Sequence, residues 1–168
     1  VQINNYIINY ATAGAGRPLL LIHGANIGWG QWYSNIAELS KHFAVYAIDL
    51  PGAGGSTKID FKAADLQKDF VDIVDTFIID RGLDNISLLG HSLGGWAALK
   101  LAIKNKPYIN SIILVDSLGF TDYVLPKHRL SAFYPFASLL SKTVMKPTKE
   151  KMEKFSVKKP FTVLVAGI

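Results

Sequence analysis

At 168 residues, the chain is long enough to bury one sizeable core and too short for two comfortable domains. About half of its residues (49%) are apolar and only 18% are charged, which excludes a disordered chain. The absence of cysteine excludes disulfides, thiolate metal sites and a cysteine nucleophile. We find neither a signal-peptide pattern nor an apolar run of the roughly 20 residues that a membrane helix needs, and we therefore expect a cytoplasmic protein without a membrane span.

The net charge of +5 is unevenly distributed along the chain. Residues 1–99 carry six Lys/Arg against nine Asp/Glu, whereas residues 100–168 carry twelve against four. The basic excess lies in residues 142–159, KTVMKPTKEKMEKFSVKK. This stretch lacks the repeated aromatic residues that a base-stacking surface needs, so it predicts a solvated surface helix and no nucleic-acid partner.

Short apolar runs alternate with amphipathic stretches along the whole chain. Helical spacing of apolar residues begins at Trp32 and again at Leu66, where the helix is expected to end at Arg81–Gly82, and a helix of small residues follows Ser92. The predicted strands are residues 6–14, 19–22, 43–48, 86–90, 111–116 and 162–167. This alternation predicts the α/β class, with a mostly parallel sheet and helices on both of its faces.

The pattern changes between residues 120 and 158, where three prolines interrupt a run of apolar and aromatic residues. An insertion of this kind between two core strands predicts a helical cap or lid over an active site, and a plain crossover helix is the alternative. The predicted domains are therefore a core at 1–119, a cap at 120–158 and a returning core strand at 159–168.

One motif carries chemistry. Gly90, His91, Ser92, Leu93 and Gly94 form a G-x-S-x-G pattern between a buried strand and a helix. A serine hydroxyl is a weak nucleophile and needs a tight turn, a base and donors for the developing oxyanion. The Leu93 N–H, at the start of the helix, is placed to be one of those donors. The sequence thus predicts Ser92 as a nucleophile on a sharp strand-to-helix turn with an unusual backbone conformation.

Three ordered segments, LLLIHG (19–24), AIDLPGAGGS (47–56) and LLGHSLGG (88–95), resemble the α/β-hydrolase superfamily. They are most similar to its capped branch, which contains carboxylesterases, carbon–carbon bond hydrolases, haloperoxidases and epoxide hydrolases. The resemblance implies that Ala25 donates the second oxyanion N–H and that His23 and Gly24 brace its loop. A serine at the elbow argues against dehalogenases and epoxide hydrolases, which place an aspartate there. The implied substrate is a small-molecule ester, without cofactor or metal.

The family places its triad acid and histidine after the serine, and both are expected beyond residue 168. The acid normally follows the strand that residues 162–167 resemble. Asp116 and His128 are weaker candidates for the acid and the base. The cap also returns to the core abruptly, so we expect it to be incomplete in this chain.

Three rival functions remain beside a carboxylesterase of small apolar or aromatic esters. The first is a carbon–carbon bond hydrolase of the same fold. The second is a short-chain dehydrogenase, because residues 24–30 fit G-x-x-x-G-x-G and residues 123–127 fit Y-x-x-x-K. Pro126 would break the helix that the tyrosine and lysine must share. The third is a non-catalytic scaffold that retains the hydrolase fold.

Overall fold

The computed structural model describes residues 1–25, residues 27–118 and the backbone of 162–166. The strands of this part of the chain are β1 Gln2–Ile3, β2 Tyr6–Ile7, β3 Tyr10–Ala13, β4 Arg17–Ile22, β5 Phe43–Ile48, β6 Ile86–His91, β7 Ile109–Val115 and β8 Thr162–Ala166. The first two form a small hairpin, and the other six form one sheet in the order β3-β5-β4-β6-β7-β8. Only β3 runs antiparallel to its neighbour. The α/β fold with a mostly parallel sheet is confirmed.

The helices lie between these strands. A 3₁₀ turn at Trp29–Trp32 leads into α1, Tyr33–Leu39. A π-helical segment at Gln67–Asp72 leads into α2, Ile73–Asp80, and α3 spans Leu93–Ile103. Since β4 pairs with β5 on one side and with β6 on the other, the order of the strands reverses at β4. In open α/β sheets, the crevice at the carboxyl ends of the strands at such a reversal is where ligands bind.

The sheet is buried on both faces, as the continuous apolar run of β4 predicts. Leu20 and Ile22 join a large cluster with Phe77 of α2 and Trp96 of α3. The alternate residues of β4 belong to a smaller cluster on the opposite face, which includes Trp32 before α1. Helices on both faces therefore hold β4 and β6 rigidly, and the loops that follow these two strands are fixed at one edge.

Residues 6–14 do not form the single strand that the sequence predicts. The prediction is wrong at residues 8 and 9, which separate β2 from β3. Ile8 exchanges hydrogen bonds with Val1 (2.7 and 2.8 Å) at the end of the hairpin, whereas the N–H of Asn9 donates to the Ser56 hydroxyl (2.9 Å) instead of to a neighbouring strand. Contacts with distant residues therefore divide a segment whose local sequence favours continuous strand.

The predicted cap at 120–158 and the basic stretch at 142–159 lie outside the described residues. Of the returning segment, β8 is described, and it pairs in parallel with β7 from Ser111 with Thr162 to Val115 with Ala166. Among the helices that the structure describes, none has the length and apolar character to cross a membrane.

Candidate active site

Ser92 occupies a strained turn between β6 and α3. Its backbone angles are φ 50° and ψ −111°, a conformation that costs a non-glycine residue about 1–3 kcal/mol. Three backbone hydrogen bonds hold it there. The Ser92 N–H donates to the carbonyl of Val115 (3.0 Å), and the Ser92 carbonyl accepts from Trp96 and Leu118 (both 3.1 Å). The predicted strand–elbow–helix geometry is confirmed, and the end of β7 helps to impose it.

The glycines of the motif allow close contacts between backbone segments. A Cβ atom on Gly94 would lie 2.2 Å from the carbonyl oxygen of Ile22, and one on Gly90 would lie 2.4 Å from the carbonyl oxygen of Gly94. No side chain fits at either distance. Helix α3 can therefore start directly against the ends of β4 and β6.

The loop after β4 passes over the elbow. A Cβ atom on Gly24 would lie 2.7 Å from Nδ1 of His91 and 3.5 Å from Cβ of Ser92. The Gly24 N–H donates to Oε1 of Gln31 (2.9 Å), which ties the loop to the turn before α1. His91 is half-buried, and its Nδ1 has no hydrogen-bond partner among the described residues. The imidazole of His91 therefore packs against Gly24 of this loop.

His23 connects this loop to the segment after β5. Its Nε2 accepts the N–H of Leu50 (2.9 Å), so the proton is on Nδ1, which faces the carbonyl of Gly24. Burial lowers the pKa of His23, although the Gly24 carbonyl and the charge of Asp49 act in the opposite direction. His23 is therefore an uncharged residue whose two ring nitrogens both form hydrogen bonds, and these bonds connect the two loops.

Two backbone amides close to Ser92 in the structure or the sequence make no hydrogen bond among the described residues. The N–H groups of Ala25, in the loop, and of Leu93, at the first position of α3, donate no hydrogen bond within the described part of the chain. Unpaired backbone N–H groups near a serine at a helix N-terminus are the kind of donor that stabilises an oxyanion.

Asp49 fixes the second loop beside the site. Its carboxylate is buried and accepts from the Trp29 N–H (2.5 Å), the Asn9 side-chain amide (2.7 Å) and the Gly55 N–H (2.8 Å). Three segments that are far apart in sequence therefore meet at one carboxylate. A Cβ atom on Gly54 would lie 2.0 Å from its Oδ2, so the loop closes tightly around the charge.

A small cleft opens beside the two free amides. His23, Gly24 and Ala25 form one side of it. The other residues that line the cleft have apolar side chains and are Leu50, Pro51, Ala53, Phe61, Phe70 and Leu93. Its free space holds about one water molecule.

The candidates for the acid and the base are not brought to Ser92 by the described residues. Asp116 is exposed at the end of β7 with φ 44°, and His128 lies outside the described residues. Within the part of the chain that the structure describes, no hydrogen bond joins the Ser92 hydroxyl to an imidazole, and no group of His, Asp and Glu side chains could hold a metal.

Sequence reasoning missed Gln31, Asn9 and Phe61. Gln31 and Asn9 act through single side-chain hydrogen bonds, and no local pattern marks either of them. Phe61 reaches the cleft from a loop of irregular structure, so no periodicity places it there.

Comparison with known proteins agrees with this geometry. The model of the alpha/beta hydrolase family matches residues 19–161. The human 1-acylglycerol-3-phosphate O-acyltransferase ABHD5 is 37% identical over 107 residues, which cover 62% of this chain and 31% of that protein. The (E)-2-((N-methylformamido)methylene)succinate hydrolase of Acinetobacter baylyi is 34% identical over 116 residues, which cover 68% and 43%.

A solved structure shares this fold. The epoxide hydrolase CorEH, without ligand, superposes with a TM-score of 0.67 at 30% identity over 86% of this chain and 55% of that one. The chain thus spans between about a third and just over half of the length of these relatives. The match of the family model over most of the sequence, joined to a serine elbow under a free-amide loop, shows that the chain belongs to the alpha/beta hydrolase family.

Proposed function

We propose that the protein is a serine hydrolase that cleaves a small apolar or aromatic carboxylic ester through an acyl-enzyme. Ser92 attacks the ester carbonyl, and the alcohol leaves with a proton from a general acid–base. Water then releases the acid and restores the serine. The observation that carries the proposal is the strained conformation of Ser92, a non-glycine residue with φ 50° at the turn between β6 and α3.

The N–H groups of Ala25 and Leu93 hold the negative charge that develops on the carbonyl oxygen. Both belong to backbone that is fixed before the substrate arrives, so little reorganisation accompanies the reaction. Gly24 keeps the loop close to the serine because it has no side chain, and Gln31 and His23 anchor the loop on both sides. The general base and its acid partner are proposed to come from residues outside the described part of the chain.

The test is Ser92→Ala in the full-length protein, assayed with p-nitrophenyl acetate. We expect kcat to fall by at least about a hundredfold, because a nucleophilic serine contributes far more than that. The midpoint of thermal unfolding should stay the same, since alanine adopts the same backbone conformation and only a half-buried hydroxyl is lost. Ser117→Ala is the matched control, because this nearby hydroxyl donates only to the carbonyl of Leu118. Equal activity of the parent and Ser92→Ala would contradict the proposal.

A second candidate is transfer of the acyl group from Ser92 to an alcohol instead of water. The similarity to the human 1-acylglycerol-3-phosphate O-acyltransferase favours it, and the same oxyanion site serves both reactions. Product analysis with and without 1-acylglycerol-3-phosphate separates the two. Free acid alone indicates a hydrolase, and an acylated acceptor indicates a transferase.

The rival functions differ in the support that they retain. A carbon–carbon bond hydrolase uses the same elbow, and a coloured ring-cleavage dienoate would test it directly. The family match and the serine elbow remove the support for a dehydrogenase. A scaffold remains the alternative that a fluorophosphonate probe decides, because labelling at Ser92 requires an activated nucleophile.

A further inference from the structure

We infer that the cleft beside Ala25 and Leu93 receives the acyl side of the ester and restricts it to acetyl-sized groups, and that Phe61 sets this limit. The inference rests on the proposed ester hydrolysis and deepens it by naming the acyl class. It also assigns a specificity role to a residue that takes no part in the chemistry.

The cleft adjoins the proposed oxyanion site. Ala25 and Leu93, whose N–H groups hold the carbonyl oxygen, both line the cleft. A substituent on the carbonyl carbon therefore lies at the mouth of the cleft as soon as the oxygen binds. Leu93 also directly follows Ser92, so one residue of the cleft wall adjoins the nucleophile in sequence.

The chemistry of the cleft decides which side of the ester it takes. The departing alkoxide must receive a proton from a general acid. Among the described residues that line the cleft, His23 alone is titratable, and its nitrogens are engaged by Leu50 and Gly24. The remaining side chains are apolar and have no proton to give. The cleft therefore suits the unreactive acyl substituent and not the leaving alcohol.

The size of the cleft sets the class of acyl group. Its free space accommodates about one water molecule, which is roughly the size of a methyl group. Leu50 and Phe70 are almost fully buried in the core. Their side chains therefore cannot move away from the cleft without disturbing the packing against the sheet. An acetyl group fills the space, whereas a longer acyl chain must either displace a side chain or leave the cleft through its open side.

Phe61 is the part of the wall that a substitution can change without opening the core. It lies on the loop between Asp49 and α2 and is only half-buried. Its ring packs where a side chain on Gly52 would stand, with Cζ 2.6 Å from the position of a Cβ atom there. Ile59 packs against the same glycine at 3.0 Å, but it does not belong to the cleft wall. The two residues form a matched pair for experiment.

The experiment measures kcat/KM of the full-length protein for p-nitrophenyl acetate, propionate, butyrate and hexanoate. We expect the parent to prefer acetate over butyrate by about tenfold or more, the selectivity that one misplaced methylene produces in an apolar pocket. Phe61→Ala should reduce that ratio by at least about tenfold. Phe61→Trp should increase it, and Ile59→Ala should leave it within about twofold. Thermal unfolding identifies any variant that fails to fold, and Phe61→Leu then replaces Phe61→Ala.

The outcomes separate the two proposals. An active parent that prefers hexanoate, or a Phe61→Ala variant that turns over esters with the parent's chain-length profile, would overturn the acyl-size inference and leave the hydrolase proposal standing. If the parent turns over none of the esters and Ser92 resists a fluorophosphonate, the proposed function fails and the inference fails with it.

Discussion

At the scale of single residues, the site depends on hydrogen bonds that hold its backbone in place. Ser92 keeps its conformation because Val115, Trp96 and Leu118 bind its peptide groups, and Gly24 keeps its position because Gln31 binds its N–H. A static oxyanion site of this kind stabilises charge without reorganising at the moment of reaction. The residues that position the nucleophile therefore have as little conformational freedom as the nucleophile itself.

His23 gives the folded protein a defined pH dependence. Its pKa is lowered by burial, so the folded chain keeps it neutral while the unfolded chain binds a proton below about pH 6.5. Its contribution to stability is therefore complete above that pH and is lost as the pH falls. We expect His23→Gln, whose amide can make both hydrogen bonds, to lose less stability than the parent between pH 7.5 and pH 5.5.

Denaturant unfolding at the two pH values measures this difference. His42→Gln is the control, because it replaces an exposed histidine, and it should follow the parent. If His23→Gln and the parent lose the same free energy of unfolding, His23 is not the group responsible.

At the scale of elements, the fit of α3 against the sheet can be tested at one atom. A methyl group on Gly94 would lie 2.2 Å from the Ile22 carbonyl oxygen, so Gly94→Ala must push α3 away from β4. We expect a loss of about 3 kcal/mol in the free energy of unfolding, at the upper end of overpacking costs. Ester turnover should fall as well, because the Leu93 N–H moves with the helix.

Gly30→Ala is the matched control for that prediction. A Cβ atom there meets nothing within 4 Å, so the free energy of unfolding should change by less than about 1 kcal/mol. Equal effects of the two substitutions on stability would show that the contact between α3 and β4 is not as tight as described.

The strands were the part of the fold that the sequence predicted best. Predicted strands at 43–48 and 86–90 correspond to β5 Phe43–Ile48 and β6 Ile86–His91, because short continuous apolar runs between turns are typical of buried parallel strands. The π-helical segment at Gln67–Asp72 was not predicted, since the apolar spacing from Leu66 onward fits an α-helix equally well. The bonds to Ser56 that divide residues 6–14 come from a distant loop and leave no local signal.

The site was predicted only where a motif marks it. The glycines around Ser92 indicate a tight elbow because close approach excludes side chains, and the observed angles agree. The acyl cleft was not predictable in the same way. Its wall joins Leu50 and Phe61 of one long loop to Phe70 of the π-helical segment, and only the packed structure brings them together. The assigned roles of Ala25 and Leu93 remain predictions.

At the scale of the whole molecule, Asp49 joins the parts of the chain that surround the site. It binds the segment before β3, the turn before α1 and the loop after β5 at one buried carboxylate. We expect Asp49→Asn to cost about 2–3 kcal/mol in the free energy of unfolding, because an amide NH₂ group then faces backbone and side-chain donors. The Gly24 loop should lose its alignment, so kcat for ester hydrolysis should fall more than KM rises.

Asp60→Asn controls for the loss of a carboxylate in the same region. Asp60 is exposed and accepts one N–H, from Lys62 (2.9 Å), so we expect a change below about 1 kcal/mol and unchanged kinetics. Denaturant unfolding and steady-state assays on both variants make the comparison. If Asp49→Asn behaves like Asp60→Asn, the three segments are held by other contacts.

The hydrogen bonds between the elbow and the end of β7 have a consequence for engineering. Val115 and Leu118 bind the peptide groups of Ser92, so among the described residues the last hydrogen bond to the nucleophile's backbone comes from residue 118. A designer who exchanges the segment after Leu118 for that of another family member leaves these bonds intact. An exchange at this junction therefore leaves both the reacting serine and the cleft around Phe61 in the recipient scaffold.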